Sequence, residues 1–521
     1  MRRQEIGLIV ARLFQRREWL LVALLLLLVV LLRLPSLEHP FDNDSAANAY
    51  HARLIVRGEP LYGTHHPAHH MPAVYYTYAL AFLLFGDSLG AVKFLLMLWI
   101  MATVYLLYRL GALVMDRATG VLAAVFYAIL TAQLWMWGNS AEIEQFANLP
   151  RIAAFLLLMQ LTLRYQVDSQ PGPAWKFVFV GLLAAVAVLF KAIYLSPLIL
   201  AGFVLLTELW RHRPKPGVWL ASLKRGLWLG VGFIFGLLMV AAYFWFLGLL
   251  PRFLLVFSLG QGYVNNSIEG PQYVLLHPLV GLAYNNVALL TFSLVSFLII
   301  VLNKNYRVTA RFYVASWYLL SFIEAGAFVR VFRFYYYLLI VPPLALLAAW
   351  LLVQIYDEIK RQNRVANHLL APLLAGILLI VGLSFSVVQN YNYYHHYVQY
   401  KLGQETHREF LIKGSPFGPQ LVLLQDVADY IQAHTTLTDR IAYWSDNVQL
   451  YYLADRQSPL DVIWPHYVEI SGPSRRLFSS PPKYFIVDPA HPRFDWMQSE
   501  LAQHYALETV IYNQEVYRRI D

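Results

Sequence analysis

Residues 19–50 read WLLVALLLLLVVLLRLPSLEHPFDNDSAANAY and join two solvents that do not mix. Positions 19–32 carry no polar side chain, the signature of a segment that lies in hydrocarbon. Ten residues further on stand two aspartates, Asp42 and Asp44. A carboxylate beside lipid is costly unless it sits in a wet cleft or has a partner. The pair is therefore either a trivial surface feature or the centre of the chemistry.

The rest of the chain repeats the apolar theme. Of its 521 residues 59% are hydrophobic and 14% charged, with a mean hydropathy of +0.49. Soluble domains carry about a quarter charged residues, so repeated apolar runs identify a polytopic helical membrane protein. The formal charge of +9 is accordingly read as basic flanks of spans and not as a nucleic-acid surface. Cysteine is absent, which excludes disulfides, thiolate catalysis and Cys-bound metal centres. Basic residues precede the first run and no small-residue cleavage site follows it, so that run is expected to be a retained span.

Candidate spans cover 18–34, 90–109, 119–137, 147–164, 177–190, 192–209, 226–248, 281–302, 312–329, 335–356 and 368–388, about eleven crossings. The 71–86 run, MPAVYYTYALAFLLFG, is short for a crossing and is read as an outer juxtamembrane helix. With that choice Arg109, Arg117, Arg164, Lys176, Lys224, Arg225, Lys304, Arg307, Lys360 and Arg361 all fall on one side, as the positive-inside rule asks. The N-terminus is then cytoplasmic, in a bacterial plasma (inner) membrane, and the acidic loops face outward. The expected organisation is a membrane domain over 1–395, with the first outer loop at 35–89, and an extracytoplasmic α/β domain over 396–521. In that tail LLQDVADYIQAH reads as an amphipathic helix followed by a turn, a strand and a short helix, and PPKYFIVDP and LETVIYNQEVYRRI read as strands.

Four constellations have chemical content. In FDNDSAANAY, Asp42 and Asp44 suit a general base or a divalent cation, although in isolation capping of the following helix explains them better. In HHPAHHMP, His65, His66, His69 and His70 offer imidazoles for a metal or, when protonated, a phosphate, but the prolines and uneven spacing oppose a preformed site. In GNSAEIEQFANLP, Glu142 and Glu144 form an acidic pair at a span boundary on the side of Asp42 and Asp44. Lys191, Arg252, Arg330 and Arg333 stand at expected outer span ends, where they either anchor to headgroups or grip a lipid-linked phosphate. Tyr336 is a further candidate substrate contact, within the collar RFYYYLLI; that collar and QNYNYYHHYVQY also read as interfacial aromatic belts.

The order of these pieces resembles the GT-C-fold glycosyltransferases related to protein O-mannosyltransferases and bacterial aminoarabinose transferases. The resemblance rests on the acidic outer loop, ARLIVRGEPLYG, HHMPAVYYTYALAFLLFGDS, NSAEIEQFANLP, VRVFRFYYYLLIVPPLALLAAW and the tail, and covers about 18–490. It implies a sugar, hexosyl or pentosyl, moved from a polyprenyl-phosphate carrier to a protein, lipid or polysaccharide acceptor on the outer face, with inversion. Counting back from Gly58 puts Asp44 at the family's catalytic aspartate, with Ser45 where a second acid is common. The family's Asn-x-Glu pattern falls on Glu144, leaving Glu142 extra, and His70, Met71 and Pro72 replace a usual Lys-Pro-Pro. The expected roles are Asp44 as base, Asp42 and Glu144 orienting the acceptor or a divalent cation (Mg or Mn), Glu142 and Tyr336 on substrate, and Lys191, Arg330, Arg333 or protonated His70 on the phosphate. Two rivals are a lipid-linked-sugar carrier or flippase without chemistry, which predicts charges buried within spans and an internal repeat, and a silent GT-C subunit.

Overall fold

A computed structural model of the chain describes residues 2–67, 70–168, 172–212, 218–265, 273–327, 334–361, 365–415, 418–465 and 481–520. Each of the eleven apolar runs contains a helix. These are α1 (Arg2–Arg33), α4 (Leu89–Val114), α5 (Arg117–Leu130), α6 (Ile143–Asp168), α7 (Ala174–Phe190), α8 (Ser196–His212), α9 (Val218–Phe246), α11 (Tyr273–Leu302), α12 (Ala310–Ala327), α13 (Val341–Arg361) and α14 (Val365–Lys401). Among the described residues, stretches of α1, α4, α6, α9, α11, α13 and α14 are long and apolar enough to cross a bilayer. Between α1 and α4 lie α2 (Asn43–Val56) and α3 (Pro72–Phe85), and α10 (Leu250–Asn265) follows α9.

Helix starts follow capping chemistry. Asp42, Ser88 and Asp116 accept from the backbone N–H groups of Ser45, Ala91 and Thr119 and thereby start α2, α4 and α5. Gly58, with φ +93°, closes α2 in a conformation that L side chains resist. Glycine also sets helix approach. A Cβ at Gly181 would lie 2.1 Å from the Leu229 carbonyl and one at Gly232 2.0 Å from that of Val178, so α7 and α9 touch backbone to backbone.

Two expected spans are shorter helices than their apolar length suggests. The run 119–137 leaves the helix at Leu130 and continues as a 3-10 turn over Leu134–Met136. The Asn390 side chain of α14 takes the Leu134 N–H at 2.9 Å, and Gln133 bonds Ser386, so side chains replace the next helical bonds. The run 335–356 opens with a 3-10 segment, Phe334–Leu339, before α13 begins at Val341. Pro342 and Pro343 lie in the first turn of α13, where no N–H is required. The carbonyls of Leu338 and Leu339 are instead held by Asn148 and Arg151 of α6, at 2.9 and 3.2 Å. The QNYNYYHHYVQY tyrosines belong to α14 itself, and Tyr393, Tyr397 and Tyr400 pack on Phe410.

The tail holds α15 (His407–Gly414), α16 (Gly418–His434), β1 (Ile441–Trp444), α17 (Gln449–Ala454), β2 (Tyr484–Val487), α18 (Asp495–His504), β3 (Tyr505–Ile511) and β4 (Gln514–Arg519). Its sheet runs β1-β2-β4-β3, with β1 parallel to β2 and the remaining pairs antiparallel. The tail shares its core with the membrane part. Tyr452 packs on Phe41 and Phe82, and Arg53 of α2 donates to the Tyr452 carbonyl at 2.8 Å.

Candidate active site

Four distant segments converge where the tail meets the helices. The start of α2 delivers Asp42 and Asp44, the start of α6 delivers Glu142 and Glu144, the end of α7 delivers Lys191, and the 3-10 segment before α13 delivers Tyr335 and Tyr336. An open cleft of about 280 Å³ is walled by Asp42, Asn43, Asp44, Ser140 and Tyr335, with Gln420 and Asn447 of the tail opposite.

The two aspartates are unequal. Asp42 caps α2 through Oδ1, and its Oδ2 has no partner. Burial, reinforced by Asp44, pushes Asp42 up to about 6. Asp44 accepts a 2.9 Å hydrogen bond from the Tyr335 hydroxyl at the cleft wall. Behind the wall Glu142 is almost fully buried, and burial together with Asp42, Asp44 and Glu144 pushes it well above the usual carboxylate range. The acidic cluster thus relieves its charge by holding a proton on Glu142 and, below about pH 6, on Asp42.

Glu144 faces Lys191, whose Nζ lies 3.5 Å from its Oε1, and it also accepts from the Tyr194 hydroxyl. The Lys191 ammonium sits 4.0 Å from the centre of the Tyr336 ring. Burial pulls Lys191 down, but Tyr336 and Glu144 outweigh it and hold the amine above the ordinary lysine value, hence charged.

Other expected residues fall elsewhere. His70 is buried with its ring against Asn48 Oδ1 at 3.1 Å. Burial, helped by Lys191 and His51, pushes His70 down to about 3, so the expected protonated imidazole is replaced by a neutral one. His65 contacts the Leu460 carbonyl and so docks the tail, whereas the His66 ring contacts the Arg252 carbonyl of α10. Arg252 is held by the Gly63 carbonyl and Asp461. Arg330, Arg333 and His69 lie outside the described residues.

Of the expected cation ligands, Asp42 uses Oδ1 for its cap and Glu144 uses Oε1 for Lys191 and Tyr194, which leaves Asp42 Oδ2 and Glu144 Oε2 without a hydrogen-bond partner. Among the described residues no group of three or more His, Asp or Glu side chains is disposed to hold a metal ion.

Three supports were not anticipated from the sequence. Lys93 of α4 is buried and donates to the His39 and Pro40 carbonyls beneath Asp42. Arg33 donates to the Gly138 and Thr131 carbonyls and to Gln145, which fixes the loop before Glu142. Arg151 pairs with Glu324 inside the bundle, where Glu324 also accepts from the Ser196 N–H and hydroxyl. The signal for these was present: each is a lone charge in or beside an apolar run.

A helical bundle capped by an α/β domain over an acidic cleft defines the GT-C fold of membrane glycosyltransferases. Residues 65–224 match the dolichyl-phosphate-mannose-protein mannosyltransferase family. Among solved structures the chain is similar to ArnT from Cupriavidus metallidurans bound to undecaprenyl phosphate, with 13% identity, a TM-score of 0.61 and coverage of 96% of this chain and 97% of that one. It is also similar to the archaeal oligosaccharyltransferase AglB from Archaeoglobus fulgidus in complex with an inhibitory peptide and a dolichol-phosphate. There the identity is 12%, the TM-score 0.58 and the coverage 91% and 70%. The A. fulgidus enzyme in complex with Zn and sulfate matches at 14% identity and a TM-score of 0.55, covering 90% and 68%. No curated protein sequence matches the chain at a significant level.

Proposed function

We propose that the chain transfers a sugar from a polyprenyl-phosphate carrier to an acceptor at the outer face of a bacterial plasma membrane, with eleven crossings and a cytoplasmic N-terminus. The observation that carries this reading is Asp44, a carboxylate at the wall of an open cleft, oriented by Tyr335 and backed by the cation Lys191. The family match over 65–224 and the undecaprenyl phosphate bound to the similar ArnT chain support the donor class.

In the proposed step Asp44 takes the proton of an acceptor hydroxyl or amine. The freed electron pair attacks the anomeric carbon, and the bond from that carbon to the phosphate oxygen breaks. The electrons of that bond leave on the polyprenyl phosphate, whose growing charge Lys191 stabilises. One base and one displacement invert the anomeric centre. Glu142, holding its proton, lowers the charge that the cluster presents to the phosphate, while Glu144 and Tyr336 fix Lys191. Gln420 and Asn447 line both the cleft and a second groove of about 420 Å³ on the tail, which offers the acceptor a path.

The carrier reading keeps one observation, the charges buried within helices. Lys93 and the Arg151–Glu324 pair, however, are tied to fixed partners and do not line a passage. Purified protein in proteoliposomes with candidate polyprenyl-phosphate sugars separates the two. Release of free polyprenyl phosphate, lost in Asp44→Asn, is the expected result. Movement of intact donor across the bilayer without release would overturn the transferase reading.

A further inference from the structure

Two buried imidazoles clasp the tail to the segment that follows α2. The His65 ring lies with Nδ1 2.7 Å from the Leu460 carbonyl and Nε2 2.9 Å from the Tyr50 hydroxyl. A carbonyl only accepts, so Nδ1 carries the hydrogen. The Tyr50 hydroxyl receives the Ser458 N–H at 3.1 Å and gives its own hydrogen to Nε2. His66 donates from Nε2 to the Arg252 carbonyl at 2.9 Å, and its Nδ1 is buried without a partner. Its backbone N–H bonds the Asp461 carbonyl at 2.6 Å.

Each ring therefore has one nitrogen that cannot take a proton in place. A hydrogen on His65 Nε2 would point at the hydrogen of the Tyr50 hydroxyl and break the chain from Ser458 through Tyr50 to His65. A hydrogen on His66 Nδ1 would be a buried donor with no acceptor, which costs about 1–3 kcal/mol.

The surrounding charges do not rescue an imidazolium. His65 faces Tyr50 and His51 of α2, Glu59, and Asp461 and Arg440 of the tail. His66 faces Tyr62, His51, Asp461 and Arg252 of α10. Glu59 already accepts from Thr64 and Gln457, and Asp461 from Arg252. Burial outweighs these carboxylates and holds His51, His65 and His66 below the ordinary histidine value. The neighbouring fastenings are of another kind: Arg53 and Arg57 meet Asp455, and such pairs keep their charges at mildly acidic pH.

We propose that His65 and His66 form an acid-released latch, which frees segment 457–461 in mildly acidic medium while the arginine pairs to Asp455 hold the rest of the tail. The latch stands independently of the transfer reading. Released imidazoles titrate near the ordinary value of about 6.5 and docked ones lower, so docking is at full strength above that pH. It is lost as pH falls below it, by up to about 100-fold per pH unit for two imidazoles.

Hydrogen exchange of the full-length protein in detergent, read by mass spectrometry with labelling times scaled to the intrinsic rate at each pH, follows the opening. From pH 7.5 to 5.5 protection over 457–463 is expected to fall at least about tenfold, and over β1 less than twofold. His65→Asn keeps a donor near the Nδ1 position and His66→Gln near Nε2, and neither side chain titrates. The double variant should lose less than about twofold over the same interval, and each single variant about half of the wild-type loss on a logarithmic scale. Should the double variant not fold, the single variants decide. A smaller loss in the wild type, an equal loss over β1, or the full loss in any variant that folds overturns the latch.

Discussion

Asp42 and Asp44 stand two residues apart, yet their surroundings give them different tasks. The Tyr335 bond and the open cleft leave Asp44 as the base, so Asp44→Asn should cut sugar release by at least about 100-fold while the protein inserts and folds normally. Tyr335→Phe should lower the rate by roughly tenfold, through kcat more than KM, because it removes orientation and not the base. Asp42 makes a stability prediction. An unfolded aspartate titrates near 3.9, and the folded one is pushed up to about 6, so the native state holds this proton more tightly. The stability it contributes is full below about pH 4 and is lost as pH rises through 6. Asp42→Asn keeps a capping side chain and abolishes the titration, so its Tm should gain on the wild type by roughly 2–4 °C between pH 4 and 7 and then level off. A constant difference across that range would contradict the assignment. Of the acids, Asp42, Asp44, Glu142 and Glu144 were all legible as residues at the ends of apolar runs. Which of them keep protons was not, since that depends on facing charges from another helix.

At the scale of the element, the site depends on helices that stop early or approach closely. The Phe334–Leu339 segment presents Tyr335 and Tyr336 because Asn148 and Arg151 hold its carbonyls, and Arg151 is in turn fixed by Glu324. Glu324→Gln should therefore destabilise the fold by about 3–5 kcal/mol, the usual result of leaving a buried charge alone, and reduce activity in the surviving fraction. Thermal unfolding in detergent checks the first effect. Apolar runs predicted the existence of α5 and α13 but not their ends. Asn390 and Arg151, which intercept backbone groups at those ends, come from other helices. The tight contact of α7 and α9 follows the same logic, since Gly181 and Gly232 matter only as a facing pair.

The whole molecule works as one body because the tail is fastened to the segment between α1 and α4. Arg53 bonds Asp87 and Asp455 and stacks 4.0 Å from the Tyr452 ring centre, and Arg57 adds a 2.8 Å pair to Asp455. Arg53→Ala should loosen this seam, increasing protease cleavage of the tail several-fold while the helices remain resistant, and activity should fall with it because Gln420 and Asn447 leave the cleft. Limited proteolysis followed by assay checks both. The sequence by itself determined the membrane class, the helix-bearing runs, the acidic loops between them and the strands of the tail, because hydropathy and periodicity are local properties read within about twenty residues. Only the tertiary structure decided that Asp44 meets Tyr335 across 291 residues, that Glu144 meets Lys191, and that His70 is neutral. Pairing and desolvation are set by residues distant in the chain, which become neighbours only once the bundle has closed.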